Sequence, residues 1–87
     1  MLSFSKEDNT FLVEEGFQIE YYDLAAQAAY SIDETNQFLI RARADGTYTA
    51  SFYSYTPGEE PSSFSENMES VSDCISWVFS QMETSEV

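Results

Sequence analysis

Phe38-Leu39-Ile40-Arg41-Ala42-Arg43-Ala44-Asp45-Gly46-Thr47-Tyr48-Thr49-Ala50-Ser51-Phe52-Tyr53 reads as two strands joined at a glycine. The length of the joining loop decides the fold of this stretch, because a slip of one residue carries each side chain to the other face. A two-residue Asp45-Gly46 loop sets Ala42 opposite Thr49 and Ile40 opposite Ser51, which mixes the faces. A three-residue loop, Ala44-Asp45-Gly46 with the glycine left-handed, sets Ala42 opposite Tyr48, Ile40 opposite Ala50 and Phe38 opposite Phe52. Arg43 then meets Thr47 and Arg41 meets Thr49, so that one face is apolar and the other polar.

The same construction extends toward the N-terminus. Glu14-Glu15-Gly16 as a loop sets Val13 opposite Phe17 and Phe11 opposite Ile19, with Tyr21 continuing the apolar face. Between the two hairpins, Asp23 is placed to cap a short helix over 24–32, since alanine is the best helix former and Leu24, Ala28 and Ile32 fall on one side. Thr56-Pro57-Gly58-Glu59-Glu60-Pro61 breaks the chain before a second helix, which Ser63 and Glu66 open as a capping box. Phe64, Met68, Val71, Ile75, Val78 and Met82 recur at spacings of four and three and give that helix its apolar stripe. The expected fold is α+β in the order ββαββα: a four-stranded antiparallel sheet with two helices on its apolar face. Residues 1–9 and 83–87 are expected to fray, and the two ββα halves share a layout but no sequence repeat.

Eighty-seven residues make one small domain, spanning 1–87, that buries about 60–65% of the surface of its unfolded chain. Hydrophobic residues at 43% and aromatics at 16% argue for a folded core in spite of a net charge of −13. There is no basic segment leading into an apolar run and no stretch of about 18 apolar residues, so neither a secretory signal nor a membrane span is expected. The lone Cys74 cannot form an internal disulfide, which fits a reducing compartment.

Most catalytic mechanisms need a titrating base, an activated nucleophile, a metal or a cationic clamp, and the residue inventory supplies almost none of these. Histidine is absent, and Cys74 at the edge of the helix stripe reads as a small inert hydrophobe. Lys6, Arg41 and Arg43 are the only cations and no glycine-rich phosphate loop accompanies them. The acid pairs Glu14-Glu15, Asp33-Glu34 and Glu59-Glu60 lack the alternating ligands of a calcium loop. No catalytic residue, no metal and no cofactor are therefore expected. Direct binding to nucleic acid or to an anionic membrane is disfavoured by the same charge, which repels phosphate.

Charge of this size opposes compaction, so its placement matters. On the expected C-terminal helix, Glu66, Glu69 and Asp73 fall in one sector opposite the apolar stripe, with no lysine or arginine to pair them. Glu59 and Glu60 extend this surface from the breaker loop, and Trp77 lies near Asp73 as an interface anchor, unless the N-terminal Met1-Leu2-Ser3-Phe4 segment or the loop covers it. Glu14, Glu15 and Glu20 form a second acidic surface. Arg41, Arg43, Thr49, Ser51, Tyr53 and Tyr55 gather on the outer sheet face as either a partner surface or a cross-strand ladder. A domain of this length is about 30 Å across, over which duplex DNA carries roughly 18 charges. The net −13 is of that order.

A short, acidic, histidine-free α+β domain with the acid groups Glu14-Glu15, Glu59-Glu60 and Glu66/Glu69/Asp73 resembles, at the level of class, the small phage counter-defence inhibitors: the anti-CRISPR and DNA-mimic proteins. The resemblance implies a non-enzymatic inhibitor acting in the cytoplasm of a bacterial host cell. Its partner would be a basic nuclease or nucleic-acid-guided effector complex, held at its nucleic-acid-binding surface. An antitoxin or immunity protein that neutralises a basic toxin shares the same electrostatics. A small structural or adaptor subunit, dimeric through a strand edge or Trp77, uses the charge for solubility alone.

Overall fold

The computed structural model describes residues 3–21 and 25–85. The chain runs α1 (Lys6–Glu14), β1 (Gln18–Tyr21), β2 (Ala26–Ser31), β3 (Asn36–Ala42), β4 (Tyr48–Ser54), β5 (Ser62–Met68) and α2 (Val71–Ser85). The strands form one antiparallel sheet in the order β1-β2-β3-β4-β5, so each strand pairs with its neighbour in sequence. The α+β class is as expected; the four-stranded ββαββα order is not, because the sheet has five consecutive strands with a helix at either end.

The central hairpin has the register of the three-residue loop. Ala42 faces Tyr48, Ile40 faces Ala50, Phe38 faces Phe52 and Arg41 faces Thr49. Arg43 donates its backbone N–H to the Thr47 carbonyl at 2.8 Å, and Gly46 sits at φ +88. Ala28 stands beside Ile40 on β2, completing a row of small, large and small residues on the inner face.

The N-terminal hairpin is instead a helix and its stop. Ser5 caps α1 by accepting the Asp8 N–H at 3.1 Å, with Glu7 and Asp8 in the first turn suiting the helix dipole. At the other end Gly16, at φ +98, donates to the Val13 carbonyl and Phe17 donates to that of Leu12 at 2.9 Å. This is the Schellman arrangement, completed by burial of both Phe17 and Leu12. A left-handed glycine after Glu14-Glu15 therefore ends a helix here, where the hairpin reading used it to turn a strand. Of the residues expected to fray, 6–9 open α1, Phe4 is buried against Tyr48, and 83–85 belong to α2; residues 1, 2, 86 and 87 lie outside the described residues.

The expected helix over 24–32 is strand β2, bonded on both sides to β1 and β3; Asp23 and Leu24 lie outside the described residues. Alanine's preference for helix is worth only tenths of a kcal/mol per residue, and two flanking ladders outweigh it. The small side chains serve close packing, since Ala26, Ala28 and Ala50 are buried under the helices. The second helix is shorter than expected. Phe64 and Met68 lie on β5, and Ser70, rather than Ser63, caps the helix by accepting the Asp73 N–H at 3.1 Å. A spacing of four fits a strand of period two as well as a helix, which is why the stripe ran across the boundary.

Val71, Cys74, Ile75 and Val78 of α2 and Leu12 of α1 close over Ala28, Phe38, Ile40 and Ala50 in one core. Burial, with Asp73 adding to it, pushes the Cys74 thiol up to about 12 and leaves it un-ionised. Among the described residues no helix covers the outer face. Its polar row runs Glu20, Gln27, Arg41, Thr49, Asn67 across all five strands. Gln27, only 6% exposed, donates to the Glu20 carboxylate at 2.9 Å and accepts from Arg41 Nε at 2.8 Å. No helix among the described residues is long and apolar enough to cross a membrane.

Two of the three left-handed glycines separate strain from crowding. A Cβ at Gly16 would stand 3.2 Å from Tyr30 Cε2, whereas at Gly46 it would meet open space. Gly46→Ala is expected to cost about 1–2 kcal/mol through backbone strain alone, and Gly16→Ala measurably more. Urea denaturation compares them, and equal losses would show that Tyr30 does not crowd the α1 stop.

Candidate interaction surface

Strand register brings three separate loops to one end of the sheet. Ser31 pairs with Gln37, Asn36 with Ser54 and Ser54 with Ser62, while Gln18 at the start of β1 lies beside Ala29 near the end of β2. The α1–β1 turn, the β2–β3 loop and the β4–β5 loop therefore share that end. They carry Glu14, Glu15, Asp33, Glu34, Glu59 and Glu60, all exposed. α1 finishes there, and α2 runs back toward it, with Gln81 lining a groove beside Asp33. Neither helix has a basic residue in its last turn, so both present the negative ends of their dipoles without compensation.

The cations lie toward the opposite end. Arg41 is bonded to Gln27, Arg43 comes within 3.9 Å of Asp45 across the β3–β4 turn, and Lys6 opens α1 just after Phe4, which stacks on Tyr48. The molecule thus has a wholly acidic end and a mixed one. Among the described residues no three carboxylate or thiol groups are grouped to hold a metal ion. The acids make a broad field rather than a coordination site.

Asp33 organises this end. Its carboxylate accepts from the backbone and hydroxyl of Thr35 and from the backbone and side-chain amide of Asn36, at 2.8–3.0 Å. Asn36 in turn accepts from the Ser54 hydroxyl at 2.7 Å, and Tyr55 donates its N–H to the Thr35 carbonyl, which ties the β2–β3 loop to the end of β4. The Asn36 side-chain amide first, then the Thr35 backbone, holds the Asp33 carboxyl down at about 2.

An apolar groove of about 460 Å³ opens beside this loop on the helix side of the sheet. Phe38, Phe52 and Phe64 form its floor, Ile32 and Gln81 its walls, and Asp33 with Asn36 its polar rim. Phe38 and Phe52 lie 4.9 Å apart and Phe52 and Phe64 5.5 Å, continuous ring packing from β3 to β5. A second hollow, of about 480 Å³, lies at the same end and includes Tyr53, Tyr55, Glu34 and Gln37.

The residues singled out in the sequence are redistributed. Glu66 is on β5 beside Ala50, Glu69 follows that strand and Asp73 is in the first turn of α2, so the three do not form a helix face. Glu59 and Glu60 lie beyond the other end of β5, a strand about 20 Å long, and join Glu14 and Glu15 instead. Glu20 is engaged by Gln27 on the outer face. Trp77 is half-buried by the sheet itself, edge-on to Phe38 at 6.0 Å and Phe64 at 5.7 Å. Tyr53 faces Gln37 near the acidic end, whereas Arg41 lies four residues further along β3, so tyrosines and arginines do not form one cluster. Asp33 and Glu34 enter the sequence reading only as an acid pair without a calcium-loop pattern, and the groove not at all; Asp33-Glu34-Thr35-Asn36 between two apolar runs is the turn signal that marks their place.

The sequence matches no protein-family model, and no curated protein and no solved structure matches the chain. The functional reading rests on the geometry described here.

Because the folded Asp33 titrates below its ordinary 3.8, its contribution to stability is complete above about pH 4 and is lost as the pH falls toward 2. Carboxyl-detected NMR is expected to place its midpoint near 2, and Asn36→Ala to return it toward the ordinary carboxylate range. A midpoint near 3.8 in the unaltered protein would show that the loop bonds do not hold in solution.

Proposed function

We propose that this protein is an acidic binding protein that inhibits a basic, nucleic-acid-handling enzyme by occupying its nucleic-acid-binding surface. The observation that carries this reading is the cation-free end of the molecule. Six exposed carboxylates, on loops and at the end of α1, and the C-terminal ends of both helices converge there on a chain of net charge −13. Along the 37 Å long axis duplex DNA carries about 22 phosphate charges. The protein's net charge is more than half of that, enough to compete for a surface evolved to hold phosphate and to speed the encounter by steering.

In this reading Glu59 and Glu60, with Glu14 and Glu15, serve as phosphate surrogates together with Asp33 and Glu34. Glu66, Glu69, Asp73 and Glu20 contribute to the wider field. A binding role also suits the residue inventory: Cys74 is buried and held protonated, and the sequence has no histidine. The inhibitor is non-catalytic and meets its partner in the cytoplasm of a bacterial cell.

The immobilised protein, exposed to bacterial lysate and eluted first with duplex DNA and then with rising salt, tests this directly. Release by DNA of one basic nuclease or guided complex is expected, with affinity falling steeply with salt. The triple reversal Glu34→Lys, Glu59→Lys and Glu60→Lys is expected to weaken capture at least tenfold, and Glu66→Lys with Glu69→Lys and Asp73→Lys to weaken it less. A partner that ignores DNA but yields to salt would support neutralisation of a basic toxin instead. One that ignores both would make the charge a matter of solubility.

A further inference from the structure

The groove between the β2–β3 loop and α2 offers apolar surface at the acidic end, floored by rings from β3, β4 and β5. Phe64 is 51% exposed and Ile32 46%, two large apolar side chains left in water beside this groove. Between them lie the rings of Phe38 and Phe52, and the hollow of about 460 Å³ falls within the range of ligand pockets. An exposed apolar hollow rimmed by polar groups marks an interaction site.

The charge around it selects the occupant. Asp33 stands on the rim and stays ionised far below neutral pH. Glu34 is in the same loop, and Glu59 and Glu60 leave β4–β5 at the same end. A second copy of this chain would bring the same carboxylates against them with no lysine or arginine to intervene, a like-charge approach that costs free energy. A segment in which lysines or arginines flank an apolar side chain meets both demands. Its cations face the loop carboxylates, and its apolar residue covers Phe64 and Ile32.

We propose that this groove takes an aliphatic or aromatic anchor from a basic segment of the partner. The inference rests on the inhibitory reading above and specifies the partner's chemistry: the contact is not phosphate mimicry alone, and one part of the affinity resists salt. Burying one leucine-sized side chain is expected to strengthen binding by about tenfold or more.

The probes are a heptapeptide of six lysines around a central leucine and its central-glycine analogue. Both are titrated by calorimetry and by the emission of Trp77, the single tryptophan, whose ring meets Phe38 and Phe64. The leucine peptide is expected to bind at least tenfold more tightly, with the ratio preserved from low to high salt. Ile32→Ser, at a half-exposed site where folding is spared, is expected to bring the leucine peptide to the glycine level, as is Phe64→Ser. Equal binding of the two peptides would overturn the groove as an anchor site while leaving the electrostatic reading intact, and binding of neither would remove both. A dimer in sedimentation equilibrium that Ile32→Ser or Phe64→Ser dissociates would make a second copy the occupant and overturn the proposal.

Discussion

The packing of Val71, Cys74, Ile75 and Val78 against Ala28, Phe38, Ile40 and Ala50 keeps one face of the sheet dry, and the rest of the molecule is arranged around that contact. Among the described residues two helices, of 9 and 15 residues, cover five strands. Alanine at positions 28 and 50 lets the helices settle onto the sheet, and Phe38 and Ile40 fill the space beside them. Among the described residues no helix covers the opposite face, and that face satisfies its polar groups within the sheet. The Glu20, Gln27 and Arg41 chain does so, with Gln27 bonded on both sides at a position almost without solvent. The cover also falls short at the edges, where Phe64 and Ile32 remain in water at the acidic end and Tyr21 at the other.

A core this small tolerates a large net charge because the charge is kept at the edges. Every acid at the cation-free end is in a turn or at a helix terminus, where water screens it. The arrangement also gives the molecule polarity along its strands. Arg41 and Arg43 are drawn into contacts near the β3–β4 turn, which leaves the far end with nothing to cancel its field. Approaching a basic surface, such a molecule turns its acidic end forward before contact, and the apolar groove arrives with it.

The sequence was legible where side-chain sorting had one good solution. Only a three-residue turn placed Phe38, Ile40 and Ala42 with Phe52, Ala50 and Tyr48, and that register is the one observed. It was misread where one local signal serves two structures. A glycine after two glutamates closes a hairpin or a helix, and only Ser5 with Glu7 and Asp8 upstream separates the cases. Phe64 and Met68 fit a period of two as well as 3.6. The alanines of 25–29 carry a helix preference that pairing with β1 and β3 overrides. The acidic character was plain from composition, yet its grouping was not, because Glu14 and Glu59 become neighbours at one end only through a topology that no local pattern encodes. The groove was hidden for the same reason: its floor takes one ring from each of three strands.

The strand order has a kinetic consequence. Because β1 through β5 pair strictly in sequence, each strand needs only a short loop closed to reach its partner, and the sheet can grow hairpin by hairpin from the β3–β4 turn. Topologies rich in such local pairing fold faster than sheets whose neighbours are distant in sequence. What must wait is the docking of α1 and α2, drawn from opposite ends of the chain onto a shared core. A chain that repels itself along its whole length can thus postpone its long-range collapse until a sheet already stands to receive it.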